Sequence, residues 1–186
     1  MNFVFNNKEY LYWNTEDPDR RVELPIIKEY YNLEKRILEI GNVLANHFSI
    51  CHDVVDKYDI AQHCIKKDII NHKVNIKYDL IISISTLEHI GYEPPEEKDE
   101  LKVIKTIEHI KTNLLKSGGI FVFTIPLGFN KKLDEQLTND IKLDEKYFMK
   151  RISFDQWVQD HDPDMVAGYY DNPYGCANKI LIGVIK

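Results

Sequence analysis

The sequence predicts one α/β domain in which a mostly parallel β-sheet lies between two layers of helices. Short apolar runs alternate with segments of helical periodicity, which is typical of parallel strands joined by crossover helices. The clearest strand, Asp79–Ser85, is β-branched and almost wholly apolar, as expected of a strand covered on both faces. The 186 residues fit one domain with a full core.

The predicted elements of the first half follow an aromatic-rich segment, residues 1–19, for which we expect no regular structure. Turn and N-cap residues then precede a helix over Arg20–Tyr31, whose start Pro25 is able to reset. Arg36–Gly41 is an apolar run ended by glycine and is predicted as a buried strand. The next two predicted elements are a short helix over Val43–Phe48 and a strand over Cys51–Asp56.

The second half contains the strongest strand signals. Apolar residues at helical spacing predict a helix over Glu97–Leu115, which the glycines of Lys116–Gly119 would end. Ile120–Ile125 is a further apolar strand, and Pro126 stops it. Two last strands are predicted as an antiparallel pair at the edge of the sheet, over Met165–Tyr170 and Lys179–Ile185.

Composition and charge exclude several classes of protein. Apolar residues make up 44% and charged residues 29%, which excludes a disordered chain. The net charge of −6 and the absence of a basic stripe disfavour nucleic acid as a partner. No apolar run is long enough for a membrane span, and the N-terminus lacks the pattern of a signal peptide. We expect a soluble cytoplasmic monomer or homodimer.

The cysteines and histidines give no metal-binding pattern. The three cysteines form no CxxC pair, and their odd number without a secretion signal predicts reduced thiols. The spacing of His52, His63 and His72 matches neither HExxH nor the paired zinc motifs. No metal ion is predicted.

The candidate site is predicted at one edge of the sheet. Right-handed crossovers place every strand-to-helix loop at the carboxyl ends of the parallel strands, where ligands of such sheets bind. Residues predicted to lie at that edge follow the strands in chain order: Glu39, Gly41 and Asn42, then Asp56, Asp68, Ser85–His89 and Pro126–Gly128.

Two segments at this edge resemble a known family. Tyr78–Ile90, YDLIISISTLEHI, is similar to the FDLVxSxxxLEHV signature of small-molecule class I S-adenosylmethionine-dependent methyltransferases. Leu114–Phe121 resembles the LLKPGG turn of the same family. With the first predicted strand, the resemblance covers residues 34–128. It implies a Rossmann-like three-layer fold, S-adenosyl-L-methionine as cofactor, and methyl transfer to an oxygen or nitrogen of a small metabolite or sugar-like acceptor.

The resemblance implies a division of the domain and a set of cofactor contacts. Residues 1–33 would form a lid or helix segment, 34–128 the cofactor-binding core and 129–186 the acceptor side. Asp56 lies near the ~20-residue offset at which a Rossmann acid meets ribose hydroxyls. The predicted cofactor-binding residues are Glu39, Gly41, Asn42, Val43, Asp56, Lys57, Asp68, Ile69, Ser85 and Leu87.

Individual roles follow from the chemistry of the cofactor. Glu39 would stabilise the ammonium group of its amino-acid tail, and Gly41 would allow close approach of the backbone. The resemblance places Asp68 opposite the adenine amine and Ile69 on the ring. As alternatives, the Glu39–Asn42 segment is an ordinary turn, and Asp56 and Asp68 are helix caps.

The acceptor side is predicted from the same edge. His89 is a candidate general base, since its ordinary pKa suits that role, and the alternative is a structural histidine. Arg21, Glu88 and Tyr170 are candidate substrate contacts. The alternatives are a solvated Arg20–Arg21 pair and a tyrosine-rich segment that packs in the core.

The glycine motif departs from the family pattern. The usual form is E/D-x-G-x-G-x-G, whereas Val43 and Ala45 occupy the second and third glycine positions here. Side chains there narrow the gap to a ligand or require a shifted turn. This departure motivates an alternative, a non-catalytic methyltransferase-like module. An NAD-dependent reductase is a weaker alternative, because GxGxxG is missing.

Overall fold

The computed structural model describes residues 2–162 and 170–186. The α-helices in these ranges are α1 (Arg20–Lys28), α2 (Lys102–His109) and α3 (Lys131–Asn139). The strands are β1 (Asn2–Phe5), β2 (Lys8–Leu11), β3 (Ile37–Ile40), β4 (Asp53–Asp56), β5 (Cys64–Lys66), β6 (Tyr78–Ile84), β7 (Leu115–Pro126), β8 (Glu145–Arg151), β9 (Trp157–Asp160) and β10 (Lys179–Ile185). No helix in the described ranges is long and apolar enough to cross a membrane.

The central sheet has the order β5-β4-β3-β6-β7-β10-β8-β9 within the described chain. The strands from β5 to β7 pair in parallel, so their carboxyl ends share one edge. β10 is antiparallel to both β7 and β8, and β9 is antiparallel to β8 at the border of the sheet. The prediction of a mostly parallel sheet with an antiparallel edge hairpin is confirmed.

One of the two strands predicted for the edge pair is observed, and it does not lie at the edge. β10 has the predicted bounds, Lys179–Ile185, but it lies inside the sheet between β7 and β8. Its seven residues are all buried, which explains the apolar run. The partner predicted for it, Met165–Tyr170, falls outside the described residues except for Tyr170, which lies in a turn.

Apolar side chains fill both faces of the sheet. Ile81 and Phe121 point to the face that α2 and α3 cover. Leu80 and Val122, their chain neighbours, point to the face that α1 and β1 cover. This alternation gives the three-layer sandwich that the sequence predicts.

The N-terminal segment, predicted as irregular, is a β-hairpin. β1 and β2 pair antiparallel around Asn6 and Asn7, whose φ angles are +50° and +61°. A two-residue hairpin turn needs positive φ at both positions, and asparagine tolerates it better than most residues. Phe3 and Phe5 alternate with exposed neighbours and bury their rings on the α1 side.

Helix α1 begins at the predicted Arg20 but ends at Lys28, three residues early. Pro25 lies inside it and cannot donate a hydrogen bond to the carbonyl of Arg21. The backbone N–H of Trp13 donates to that carbonyl at 2.9 Å. A loop residue thus supplies the missing donor, and the helix continues through the proline.

Two other predicted helices are shorter than expected. The helix over Val43–Phe48 reduces to one 3₁₀ turn, Leu44–Asn46. The one over Glu97–Leu115 divides into a 3₁₀ turn at Pro95–Glu97, then α2, then a π-turn at Ile110–Leu114. Because β7 starts at Leu115, the Lys116–Gly119 segment lies within a strand instead of ending the helix. Besides β1 and β2, the strands and α-helices of the described chain that the sequence did not predict are β5, α3, β8 and β9.

Candidate functional site

A cavity of about 530 Å³ opens at the carboxyl ends of β3 and β4, facing the segment that follows β6. Its volume lies within the roughly 300–1,000 Å³ typical of small-molecule sites. The predicted cofactor-binding residues that line it are Gly41, Asn42, Val43, Asp56, Lys57, Asp68 and Ile69, and His89 lies on the same wall as Thr86, Ile90 and Gly91.

Gly41 lies where the backbone leaves β3 and passes the segment after β6. Its φ of +87° is in the left-handed region, and its N–H donates to the carbonyl of Val55 at 3.0 Å. A Cβ at this position would lie 2.2 Å from the Thr86 hydroxyl oxygen. The turn is therefore possible only with glycine, and it closes one wall of the cavity.

Glu39 lies behind this turn and does not line the cavity. Its side chain is fully buried, and Oε1 accepts hydrogen bonds from the N–H groups of Val43 and Leu44, both at 2.8 Å. Oε2 lies 2.9 Å from Nε2 of His52. The carboxylate therefore holds the loop in shape in the way an N-cap holds a helix.

The missing glycines leave this loop unstrained. Val43 has a φ of −99°, and neither Val43 nor Ala45 is among the described residues with positive φ. Leu44 is buried with the core on the α1 side and points away from the cavity. In the described chain the loop thus needs glycine at Gly41 and nowhere else in the motif.

Asp56 and Asp68 line the cavity and also cap local backbone. Oδ1 of Asp56 accepts from the N–H groups of Tyr58 and Asp59, both at 2.8 Å. Its Oδ2 has no hydrogen-bond partner in the described part of the chain. Asp68 caps a 3₁₀ turn, accepting from the N–H of Ile70 at 3.3 Å. Asp68 is therefore both a cap and a cavity residue, whereas Asp56 lies at the cavity wall before a bend and caps no helix.

Asp68 is also neutralised by a cation. Its Oδ2 lies 2.8 Å from Nζ of Lys102 and 3.8 Å from Nζ of Lys57. Burial alone would raise the pKa of Asp68, but the hydrogen bond and charge of Lys102, with a smaller effect of Lys57, lower it. Lys57 in turn is hydrogen-bonded to Glu97. Asp68 is therefore a charged residue in a compensated network.

Asn42 joins the β3 loop to the loop after β4. Its Nδ2 donates to Oδ2 of Asp59 at 2.9 Å, and its Oδ1 lies 2.9 Å from Nε2 of His63. The pKa of Asp59 is lowered, first by the hydrogen bond from Asn42 and second by the hydrogen bond from the N–H of Ala61. The rim of the cavity is thus cross-linked across two strands.

Three of the remaining predicted residues do not line the cavity. Leu87 is fully buried in the core on the α2 side. The Ser85 hydroxyl donates to Oε1 of Glu23 at 2.5 Å. Arg21 forms an ion pair with Asp155 at 3.0 Å, whereas Arg20 pairs with the buried Glu23, so the two arginines do not form the solvated pair of the alternative.

His89 lies between the cavity and an aromatic group. Its side chain is 46% exposed, and Nδ1 lies 2.8 Å from Oε2 of Glu93. Its ring centroid is 4.8 Å from that of Phe129, which is 5.2 Å from the ring of Tyr170. Tyr170 therefore lies on the β7 side of the site, not in the cavity wall.

Behind His89 lie three buried acidic residues, Asp19, Glu23 and Glu88, which we call the acidic cluster. Glu23 is ion-paired with Arg20. Burial first, and the charge of Glu23 second, raise the pKa of Asp19 to about 7. Burial raises the pKa of Glu88 well above its usual range, with a further increase from Glu23. Sequence analysis predicted Glu88 at this edge but not Asp19 or Glu23, because no local pattern shows that α1 packs there.

Replacing Asp19 with asparagine is expected to flatten the pH dependence of stability. The folded-state pKa is raised, so the stabilising contribution of the protonated carboxyl is complete below its ordinary pKa and is lost as the pH rises through about 7. Between about pH 5 and about pH 8 the free energy of unfolding of the variant should fall by on the order of 2 kcal/mol less than that of the wild type. Urea unfolding at a series of pH values measures this, with the exposed Asp140→Asn as control. Identical pH profiles for Asp19→Asn and wild type would contradict the buried state of this carboxyl.

Comparison with known proteins identifies the fold. The sequence matches no protein-family profile and no curated protein sequence. Two solved structures of the N-methyltransferase NodS from Bradyrhizobium japonicum WM9 are similar to this chain, each with a TM-score of 0.55. The complex with S-adenosyl-L-homocysteine is 15% identical and covers 91% of this chain and 87% of its own. The other is 16% identical and covers 91% and 96%. The chain therefore has the Rossmann-like α/β fold of this methyltransferase.

Proposed function

We propose that the protein binds S-adenosyl-L-methionine in the cavity beside β3 and β4. We further propose that it transfers the methyl group to an oxygen or nitrogen of a small metabolite or sugar-like acceptor. The observation that carries the proposal is Asp56, which ends β4 at the cavity wall with one carboxylate oxygen unpartnered in the described chain. A carboxylate at the end of the second parallel strand is suited to accept hydrogen bonds from ribose hydroxyls.

The remaining walls fit the other parts of the cofactor. Apolar side chains line the cavity on the Asp68 side, where Ile69 is 4% exposed and Ile90 lies opposite. Such a surface suits the adenine ring. Gly41 lets the backbone approach the ligand, as the amino-acid tail requires. A structure with the same fold, NodS, is in complex with S-adenosyl-L-homocysteine.

The protein would contribute to the reaction by aligning the acceptor with the methyl group and by excluding water. The cofactor supplies a methyl group that its sulfonium already activates, so the protein needs no strong catalytic group. The Ser85–His89 segment brings His89 to the cavity wall, and Glu88 is buried next to it in the chain. His89, exposed and held by Glu93, is placed to accept a proton from the acceptor.

The open cavity favours an enzyme over a non-catalytic module. A module of that kind is motivated by the lost glycines, but Val43 adopts an ordinary φ and Leu44 is in the core. The net charge of −6 supports a small-molecule acceptor over nucleic acid. We also propose a cytoplasmic location, a monomer or homodimer, and a lid or helix segment over residues 1–33.

The test is calorimetric titration with S-adenosylmethionine and S-adenosylhomocysteine. We expect one site per chain and micromolar affinity. Asp56→Asn should weaken binding at least tenfold, since a charged hydrogen bond contributes about 1.5–3 kcal/mol. Asp140→Asn, on the exposed end of α3, serves as the matched control and should bind like wild type. No heat at millimolar ligand would overturn the proposal.

A further inference from the structure

The acidic cluster contains more carboxyl groups than cations. Arg20 pairs with Glu23, which also accepts the Ser85 hydroxyl, so these two charges compensate each other. Among the described residues, neither Asp19 nor Glu88 has a lysine or arginine nitrogen within 4.0 Å. The contact of Glu88 in that range is Nε2 of His89, at 3.8 Å from Oε1.

Two oxygens of this cluster are buried without a partner. Glu88 is 1% exposed and its Oε2 has no hydrogen bond in the described chain. Asp19 is 7% exposed; its Oδ2 accepts from the N–H of Ala177 at 3.2 Å, and its Oδ1 has no hydrogen bond there. Buried polar atoms are normally satisfied, so an unsatisfied one requires an explanation such as a bound group. What the cluster lacks is a hydrogen-bond donor that carries positive charge.

Aromatic rings lie beside His89, the chain neighbour of Glu88. Phe129 contacts both the His89 ring, at 4.8 Å, and the Tyr170 ring, at 5.2 Å. The pKa of Tyr170 is raised to about 12, by burial first and then by nearby acidic groups that include Asp19 and Glu88. The hydroxyl of Tyr170 therefore lies within the electric field of the acidic cluster. Aromatic faces next to carboxylates are suited to bind an organic cation.

We infer that Asp19 and Glu88 bind the amino group of the methyl acceptor, with Phe129 and Tyr170 beside it, so that the acceptor is a primary or secondary amine. An ammonium group has the donors and the charge that the two unpartnered oxygens lack. A carboxylate or phosphate would bring a further negative charge to the acidic cluster, and a hydroxyl would bring a single donor and no positive charge. For its methyl-transfer step the inference rests on the proposed function.

The position of the cluster suits the chemistry. The amine enters as an ammonium ion and gives one proton to the carboxylate of Glu88, whose pKa burial has raised. The neutral nitrogen then attacks the methyl carbon with its lone pair, and the carbon–sulfur bond breaks with its electron pair left on sulfur. The products are an N-methylammonium ion and a thioether. His89 joins Glu88 to solvent, and the proton leaves by that path.

Binding of matched amines and alcohols tests the inference without cofactor. Calorimetry near pH 7.5 would compare benzylamine with benzyl alcohol, putrescine with 1,4-butanediol, and glucosamine with glucose. We expect at least one amine to bind wild type at least tenfold more tightly than its alcohol. The inference is overturned if no amine binds, or if every alcohol binds as well as its amine.

Variants assign that binding to the cluster. Glu88→Gln and Asp19→Asn should each weaken binding of the selected amine at least tenfold, whereas Glu108→Gln on the exposed face of α2 should not change it. Circular dichroism verifies folding, and if one variant fails to fold the other decides. Unchanged amine binding in a folded Glu88→Gln or Asp19→Asn protein would overturn the assignment.

Failure of this inference can be distinguished from failure of the proposed function. If S-adenosylhomocysteine binds and no amine does, the cofactor site stands and the amine site is wrong. If amines bind and S-adenosylhomocysteine does not, the amine site stands and methyl transfer is wrong. Detection of the N-methylated amine by mass spectrometry, in a reaction with S-adenosylmethionine, would support both.

Discussion

Replacing Gly41 with alanine is expected to abolish cofactor binding and to destabilise the protein by about 3 kcal/mol. The φ of +87° costs an L-residue roughly 1–2 kcal/mol. The new Cβ would also lie 2.2 Å from the Thr86 hydroxyl oxygen, and relieving such a clash costs about 1–3 kcal/mol more. The loop would move away from β6 and change the cavity wall.

Gly118 provides the matched control for this prediction. Its φ is +75°, close to that of Gly41, but no atom lies within 4 Å of the Cβ that alanine would add. Gly118→Ala should therefore lose about 1–2 kcal/mol of stability, the cost of the positive φ alone, and should bind S-adenosylhomocysteine like the wild type. Urea unfolding and calorimetry with S-adenosylhomocysteine measure both effects. A Gly41→Ala protein as stable as Gly118→Ala would contradict the close approach to Thr86.

Removing the carboxylate of Glu39 is expected to have the second large effect. Glu39→Ala would leave the N–H groups of Val43 and Leu44 and the ring of His52 without their acceptor, in a place closed to solvent. Removing one partner from such a set of buried polar contacts lowers stability by about 3–5 kcal/mol. Cofactor affinity should fall as well, since the same N–H groups fix the cavity loop.

The conservative variant separates shape from charge. Glu39→Gln keeps one oxygen for Val43 and Leu44 and should lose only about 1–2 kcal/mol. Thermal and urea unfolding give the stabilities, and calorimetry gives the affinity. Equal losses in the alanine and glutamine variants would show that the two N–H contacts contribute nothing, against this description of the loop.

The sequence predicted the interior of the sheet better than its borders. β6 and β10 lie within one residue of their predicted bounds, because buried strands are continuous apolar runs. β5, by contrast, has three residues, none of them buried. Short border strands carry little pattern of their own, since pairing with distant segments decides their structure.

The candidate site was predicted only in part, because local patterns do not show how distant segments pack. Gly41, Asp56 and Asp68 follow strands, and topology alone brings strand ends to one edge. The meeting of Asp19 with Glu88 depends on how α1 packs across the sheet, which no local pattern shows. Likewise, no local pattern predicts that Glu39 lies behind the loop.

A crystal structure of the protein grown with millimolar S-adenosylhomocysteine would show whether the cofactor binds beside β3 and β4. We expect the ligand in the 530 Å³ cavity, with a ribose hydroxyl at hydrogen-bond distance, about 2.5–3.0 Å, from Asp56. We also expect the thioether sulfur on the side of His89. A ligand bound elsewhere, or in the cavity without contact to Asp56, would contradict the proposed cofactor site.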